Sequence, residues 1–179
     1  MRQGGCRFCT KVDSTLRGHL QEEIRAAIDC YGPELIIFAP AYPEMGRTVE
    51  QGRLCVQGTP LLDTEIARDP RNPLEEDNVQ QILSACLTEP VQHYDSHDLA
   101  EGALDLTGRA YSFDTKESSQ LEHIAMAAMK TGKKILWIGS AGLAQGYYRS
   151  VAGVFRYWQS SAALAAKRWR RLHTVEIRV

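Results

Sequence analysis

The sequence predicts an α/β protein, a single domain built on a mostly parallel sheet with helices on both faces, in three layers α/β/α. Short continuous apolar runs, Leu35-Ile36-Ile37-Phe38-Ala39 and Ile135-Leu136-Trp137-Ile138, have the composition of strands buried on both sides. Between them lie longer segments with apolar residues at helical spacing, and this alternation is that of βαβ units. With 179 residues, 44% hydrophobic and 24% charged, the chain has ordinary globular composition and the length for one sizeable core.

Taken in order, Cys6-Arg7-Phe8-Cys9-Thr10 reads as a first strand. Leu20, Ile24, Ala27 and Ile28 fall at i, i+4, i+7 and i+8, so a helix is predicted from about Leu16 to Tyr31. Glu34–Pro40 is the second strand, closed by Pro40 and Pro43. A turn-rich excursion follows from Ala41 to Pro73, with Gly46, Gly52, Gly58 and a hairpin about Leu54-Cys55-Val56. Connections this long inside a domain are usually functional. A helix is predicted over Glu75–Leu87, then strands at Val91–Tyr94 and Arg109–Phe113, the latter ending at Asp114. Ser119-x-x-Glu122 has the form of a capping box ahead of Leu121, Ile124, Ala125 and Ala128, which predicts a helix over Gln120–Lys130 stopped by Gly132. Lys133–Ile138 is a further strand leading into Gly139-Ser140-Ala141-Gly142-Leu143. Right-handed crossovers bring the strand ends to one edge, where open α/β sheets bind ligands.

No apolar run approaches the roughly 20 residues that span a bilayer, and Met1-Arg2-Gln3-Gly4-Gly5 lacks the apolar core of a secretory signal. No membrane partner is expected, and the cytoplasm is the expected location. Five cysteines, an odd number scattered over strands and helices, fit reduced thiols. Cys6-x-x-Cys9 lies in a strand, whereas a redox pair opens a helix, and His93-x-x-x-His97 has no second pair of ligands. No metal site is expected at either, and both histidines are expected at the surface. The net charge of −1 hides an asymmetry, because residues 147–179 carry seven basic residues against the single Glu176. Such a tail is a solvated helix face or a contact for an acidic partner, and nucleic acid is not the expected one.

Four segments can carry chemistry. In Lys11-Val12-Asp13-Ser14-Thr15-Leu16-Arg17-Gly18, Asp13 can accept from hydroxyls, Ser14 and Thr15 can cap or bind, and Arg17 can grip a carboxylate or phosphate. The same residues also suit a simple helix cap with a solvated arginine. In Ala39-Pro40-Ala41-Tyr42-Pro43-Glu44-Met45-Gly46-Arg47-Thr48, a strand end meets a turn that presents Arg47 and Thr48, or a plain turn with a surface arginine. Arg68-Asp69-Pro70-Arg71-Asn72-Pro73 is a stiff polar loop, either at a site or merely exposed. Gly139, Ser140 and Gly142 follow a strand and precede a helix, so their amides could cradle phosphate, although tight strand-to-helix packing explains small residues equally well.

In this order and spacing the four segments closely resemble the four-carbon acid sugar kinases, over about residues 7 to 146. The resemblance implies the sugar-binding N-terminal domain of an ATP-dependent, Mg2+-using enzyme that phosphorylates a threonate, erythronate or 3-oxo-tetronate type substrate. Carried over, it makes Asp13, Ser14 and Thr15 candidates for sugar hydroxyls. Arg17 and Arg47, with Thr48, become candidates for the acid or the transferred phosphoryl group, and Gly139, Ser140 and Gly142 for the phosphate loop. No catalytic residue is identified. The family's opening D-D-x-T-G-A type motif would precede residue 1. Asp105-Leu106-Thr107-Gly108 lies too late in the domain to replace it. The nucleotide-binding domain is not represented, and the resemblance stops near Gln145, so residues 147–179 are expected to be a tail foreign to the family. A truncated or frame-disrupted product is expected, inactive alone and binding no ATP tightly, with an unpaired sheet edge that favours a homodimer or poor solubility. The alternative is a non-catalytic interaction module that uses the basic tail.

Overall fold

A computed structural model of the chain describes residues 8–70, 73–102 and 104–159, with side chains from Thr10 to Val151. In chain order the elements are β1 (Phe8–Lys11), α1 (Leu20–Tyr31), β2 (Leu35–Ala39), β3 (Arg47–Glu50), β4 (Arg53–Val56), β5 (Thr59–Pro60), α2 (Val79–Ser84), β6 (Gln92–Tyr94), α3 (Ser96–Glu101), β7 (Ala110–Phe113), α4 (Ser118–Lys130), β8 (Ile135–Gly139) and α5 (Ala141–Gln159). Five strands form a sheet in the order β1-β8-β2-β7-β6, every pair of neighbours parallel. The hairpin β3-β4 and the short β5 form a separate antiparallel sheet.

The unbroken apolar runs make sense because each strand serves two cores. Side chains alternate across a strand. Ile36 and Phe38 of β2 and Leu136 and Ile138 of β8 join Leu20, Ile24 and Ile28 of α1, Ile82 of α2 and Val49 and Leu54 of the hairpin. Leu35 and Ile37, with Ile135 and Trp137, face the other way onto Leu121, Ile124, Ala125 and Ala128 of α4 and Leu143 of α5. This is the three-layer α/β/α arrangement that the sequence predicts. From β1 to β2 to β6 the chain crosses the sheet with α1 and α2 on one face. It returns through β7 to β8 with α3 and α4 on the other, as a single hand of crossover requires. Strand β8 therefore enters between β1 and β2, and neighbouring strand ends lead to opposite faces, the arrangement beside which open α/β sheets bind ligands.

Tight packing sets that insertion. A Cβ on Gly139 would lie 2.5 Å from the Ala39 carbonyl oxygen and 2.6 Å from Leu143 Cδ2. On Gly142 it would meet the Ala41 carbonyl oxygen at 2.5 Å, and on Gly146 it would meet Leu121 Cβ at 2.9 Å. One glycine face thus lets β8 and α5 touch the chain leaving β2 and the start of α4.

Several predicted elements shift. Helix α1 begins at Leu20, not Leu16, because Leu16 (φ 57°) and Gly18 (φ 105°) adopt left-handed backbone. Helix α2 covers only Val79–Ser84. Before it, the Glu76 carboxylate takes the Asp77 and Asn78 amides, and Asn78 caps Gln81 N. After it, the Cys86 and Leu87 amides close shorter turns onto the Leu83 and Ser84 carbonyls. The box ahead of α4 is displaced too: Gln120 Oε1 accepts from the Lys116 and Glu117 amides, and the helix starts at Ser118. Helix α5 runs through residue 147 unbroken. Most of the basic tail, residues 160–179, lies outside the described residues, as do Cys6, Arg71 and Asn72. Among the described residues no helix is long and apolar enough to cross a membrane.

Gly139→Ala should lower stability by about 1–3 kcal/mol, the usual cost of forcing extra volume into a closed contact. Urea unfolding followed by far-UV circular dichroism measures it, and an unchanged midpoint would mean that the contact yields easily.

Candidate functional site at the carboxyl edge

All four segments come to the carboxyl edge of the main sheet, and they meet pairwise. Beyond β1, the Val12 amide donates to the Gly139 carbonyl at 2.9 Å, tying the first segment to the fourth. Val12 and Leu16 are buried and pull the loop onto the core. Between them, the Asp13 carboxylate accepts from Thr15 Oγ1 at 2.8 Å and from Arg17 Nε at 2.7 Å. Burial alone would raise the Asp13 pKa. The hydrogen bonds from Arg17 and Thr15, with the guanidinium charge, outweigh it and hold the carboxyl below its ordinary value. Asp69 of the third segment lies close enough to Arg17 to strengthen its charged form. Ser14 is half-buried in the same turn.

The second and fourth segments form one unit. Ser140 Oγ donates to the Ala41 carbonyl at 2.7 Å and accepts from the Gly142 amide at 3.0 Å, capping α5. Gln145 Nε2 donates to the Tyr42 hydroxyl at 3.1 Å, and Arg149 pairs with Glu44 at 3.0 Å and Glu122 at 3.5 Å. Gly139, Ser140 and Gly142 are therefore at the edge as a phosphate loop requires, with the Ser140 hydroxyl already engaged. Arg47 opens β3, where its Nη1 donates to the Met45 carbonyl and its buried Nε meets no acceptor. Thr48 Oγ1 donates to Glu50 Oε1 at 3.1 Å, and Glu50 Oε2 pairs with Lys116 at 2.8 Å.

Sequence reading missed a buried polar cluster beside this edge. The Asp114 carboxylate accepts the Gln51 and Gly52 amides at 2.9 and 2.8 Å and contacts His93 Nε2 at 3.1 Å, while His93 Nδ1 lies 2.9 Å from Ser112 Oγ. Asp114 can only accept when ionised, so Nε2 carries the proton that it receives, and Nδ1 faces the Ser112 hydroxyl, which can either donate or accept. His93 is thus not a surface residue: its side chain is 16% exposed, because β6 sets it opposite Ser112 of β7. His97 does lie at the surface, 78% exposed. A second buried carboxylate, Asp77, takes both Arg53 Nε and Nη2, at 2.9 and 3.0 Å, and the Leu62 amide at 3.2 Å. Asp114 fastens the small sheet to the large one, and Asp77 braces β4 and the Leu62 turn against the chain entering α2. The Gly52 turn and the acid after β7 were visible in sequence, but a pairing across 62 positions was not. Asp105–Gly108 precedes β7, at the opposite edge, where Lys133 Nζ donates to the Leu106, Thr107 and Gly108 carbonyls.

Carboxylate, hydroxyl and guanidinium groups on one rim suit a small polyhydroxy acid. Residues 1–147 match the family described as the sugar-binding N-terminal domain, a part of the four-carbon acid sugar kinases. The chain belongs to that family. It is 34% identical over 142 residues to the D-threonate kinase of Salmonella typhimurium, covering 75% of this chain and 34% of that kinase. It is 42% identical over 79 residues to the D-erythronate kinase of Heliobacterium modesticaldum, covering 44% of this chain and 18% of the other. A crystal structure from Bordetella bronchiseptica, a domain-swapped dimer with bound citrate, is similar with a TM-score of 0.65 and 30% identity, covering 82% of this chain and 37% of that one. The chain thus spans about a third of the length of the curated kinases that it matches over most of its own length (34% and 36%). In this family setting, the segments from Asp13 to Ser140 lie in the sugar-binding part.

The Asp114 cluster yields a stability test. Burial would raise this carboxyl's pKa, but the hydrogen bonds from His93, Gly52 and Gln51 hold it below 3.8. A depressed native pKa contributes stability that is complete above the unfolded value and disappears as pH falls through the native one. Asp114→Asn should cost about 1–3 kcal/mol near neutral pH. In urea titrations, its difference from wild type should shrink steadily below about pH 4. A difference that persists undiminished in acid would contradict the assignment.

Proposed function

We propose that this chain forms the sugar-acid-binding part of an ATP-dependent kinase that phosphorylates the terminal hydroxyl of a four-carbon acid of threonate, erythronate or 3-oxo-tetronate type. The observation that carries this reading is the meeting of all four family segments at one sheet edge, within a domain matched over residues 1–147. Asp13, with Ser14 and Thr15, would engage hydroxyls. Arg47 and Thr48 would engage the charged end, with Arg17 beside Asp13 at the hydroxyls, and the first turn of α5, from Gly139 through Ser140 to Gly142, would border the phosphate. Since the Ser140 hydroxyl is bound to Ala41, phosphate contact there would use backbone amides. The citrate held by the Bordetella relative, itself a hydroxy acid, supports an acidic ligand. That relative's dimer supports a homodimer.

ATP and Mg2+ are the co-substrate and metal that such a kinase uses, supplying the phosphoryl group and neutralising its charge. At this edge Asp13, Asp114 and Glu50 are all engaged by protein donors, so we assign none of them to Mg2+.

A thermal-shift series with D- and L-threonate, D- and L-erythronate and their oxo forms tests the reading. Ligand at about a hundred times Kd adds roughly 2.7 kcal/mol, which raises Tm by roughly 5–10 °C in a domain of this size. One of these acids should produce that rise without ATP. No rise with any of them would overturn the proposal.

A further inference from the structure

The two arginines of the candidate site are in different electrostatic states. Arg17 is already paired: its Nε donates to Asp13 at 2.7 Å, in a loop whose backbone holds the two residues together. Asp69 lies nearby as a second acid. With its charge offset by Asp13, Arg17 offers a ligand carboxylate little net attraction, while the pair still presents donors and acceptors to hydroxyl groups.

Arg47 is the reverse. Among the described residues it meets no carboxylate within ion-pair distance; its bond is to the Met45 carbonyl, and its Nε is buried without an acceptor. The acids nearest in sequence are engaged elsewhere, Glu44 by Arg149 and Glu50 by Lys116 and Thr48. The turn that carries Arg47 is fastened to α5 through Ser140 and Gln145, so the guanidinium is held at the edge with its charge uncompensated. An uncompensated guanidinium on a fixed turn is a preorganised carboxylate receptor.

We infer that Arg47 is the residue that recognises the ligand's carboxylate, and that the Asp13–Arg17 pair acts as one donor–acceptor unit that reads hydroxyls and gives no preference for an acid. This rests on the sugar-acid reading above and divides the labour within that site.

The experiment compares D-threonate with its uncharged counterpart threitol by isothermal calorimetry on the whole chain. Wild type should prefer the acid. Arg47→Gln should lower threonate affinity roughly tenfold to a hundredfold, the loss of a charged hydrogen bond, and leave threitol unchanged, abolishing the preference. Arg47→Lys should restore part of it, with a dependence on salt that the Gln variant lacks. The double variant Asp13→Asn/Arg17→Gln keeps the local net charge, so it should weaken both ligands alike and preserve their ratio. Circular dichroism and Tm establish that each variant is folded; should Arg47→Gln not fold, Arg47→Lys and the double variant carry the same comparison. An acid preference that survives Arg47→Gln, or that disappears in the double variant, overturns the division. If wild type binds neither ligand nor any other four-carbon acid, the sugar-acid reading falls, and this inference with it.

Discussion

The arrangement depends on a contact between backbones. Where β8 turns into α5, Gly139 and Gly142 leave the chain bare, and the carbonyls of Ala39 and Ala41 close onto it at distances that no side chain would allow. Because β8 lies between β1 and β2, this contact sets the spacing of three strand ends at once. Ser140 adds the polar half: its hydroxyl bridges the Ala41 carbonyl and the Gly142 amide, satisfying groups that burial would otherwise penalise. A small-residue sequence that suggested a phosphate cradle is thus also a packing surface. The two uses are compatible, since close approach of the backbone is what brings the amides of α5 to the rim.

The long excursion between β2 and α2 is ordered by a different device. Its own hairpin contributes only a modest apolar face, with Val49, Leu54 and Leu61 entering the core. The excursion is ordered by two buried carboxylates, each in three hydrogen bonds. Asp114 takes two turn amides and a histidine, and Asp77 takes a guanidinium fork and an amide. Charges buried in this way are tolerable because directed donors surround them, and for the same reason they hold one geometry. The hairpin bearing Arg47 and Thr48 is therefore aligned from below by Asp114 and Thr115, the latter exchanging two backbone bonds with Val49.

Much of this was legible in the sequence, for identifiable reasons. Strands β2 and β8 announced themselves because a doubly covered strand must be apolar on both faces, and α4 because one stripe of it must face the sheet. The rim segments were visible because glycine, proline, arginine and aspartate crowd where strands end. Errors arose where a local choice was decided by a distant or an unusual partner. Leu16 adopts left-handed backbone without the glycine that would advertise it, so α1 seemed one turn longer. The residues before Asn78 looked helical, yet Asp77 is drawn away to Arg53. His93 belonged to the interior because its cross-strand neighbour is Ser112, and strand order, which makes them neighbours, could not be derived from periodicity. For Arg17 and Arg47 the sequence offered two equal cations, and only the side-chain geometry separates a neutralised one from a charged one.

The interleaved strand order also dictates a sequence of events during synthesis. Strand β1 finds its one pairing partner among the described residues in β8, with Phe8 paired to Leu136, so β1 waits for a strand made long after it. Until β8 emerges, β1 and β2 face each other across a vacant lane, and α1 is attached to a strand that lacks this partner. Contacts of such separation slow folding and prolong the exposure of strand edges. Closure of this part of the sheet is thus an insertion between β1 and β2, and the glycine turn from β8 into α5 is the leading surface of that insertion.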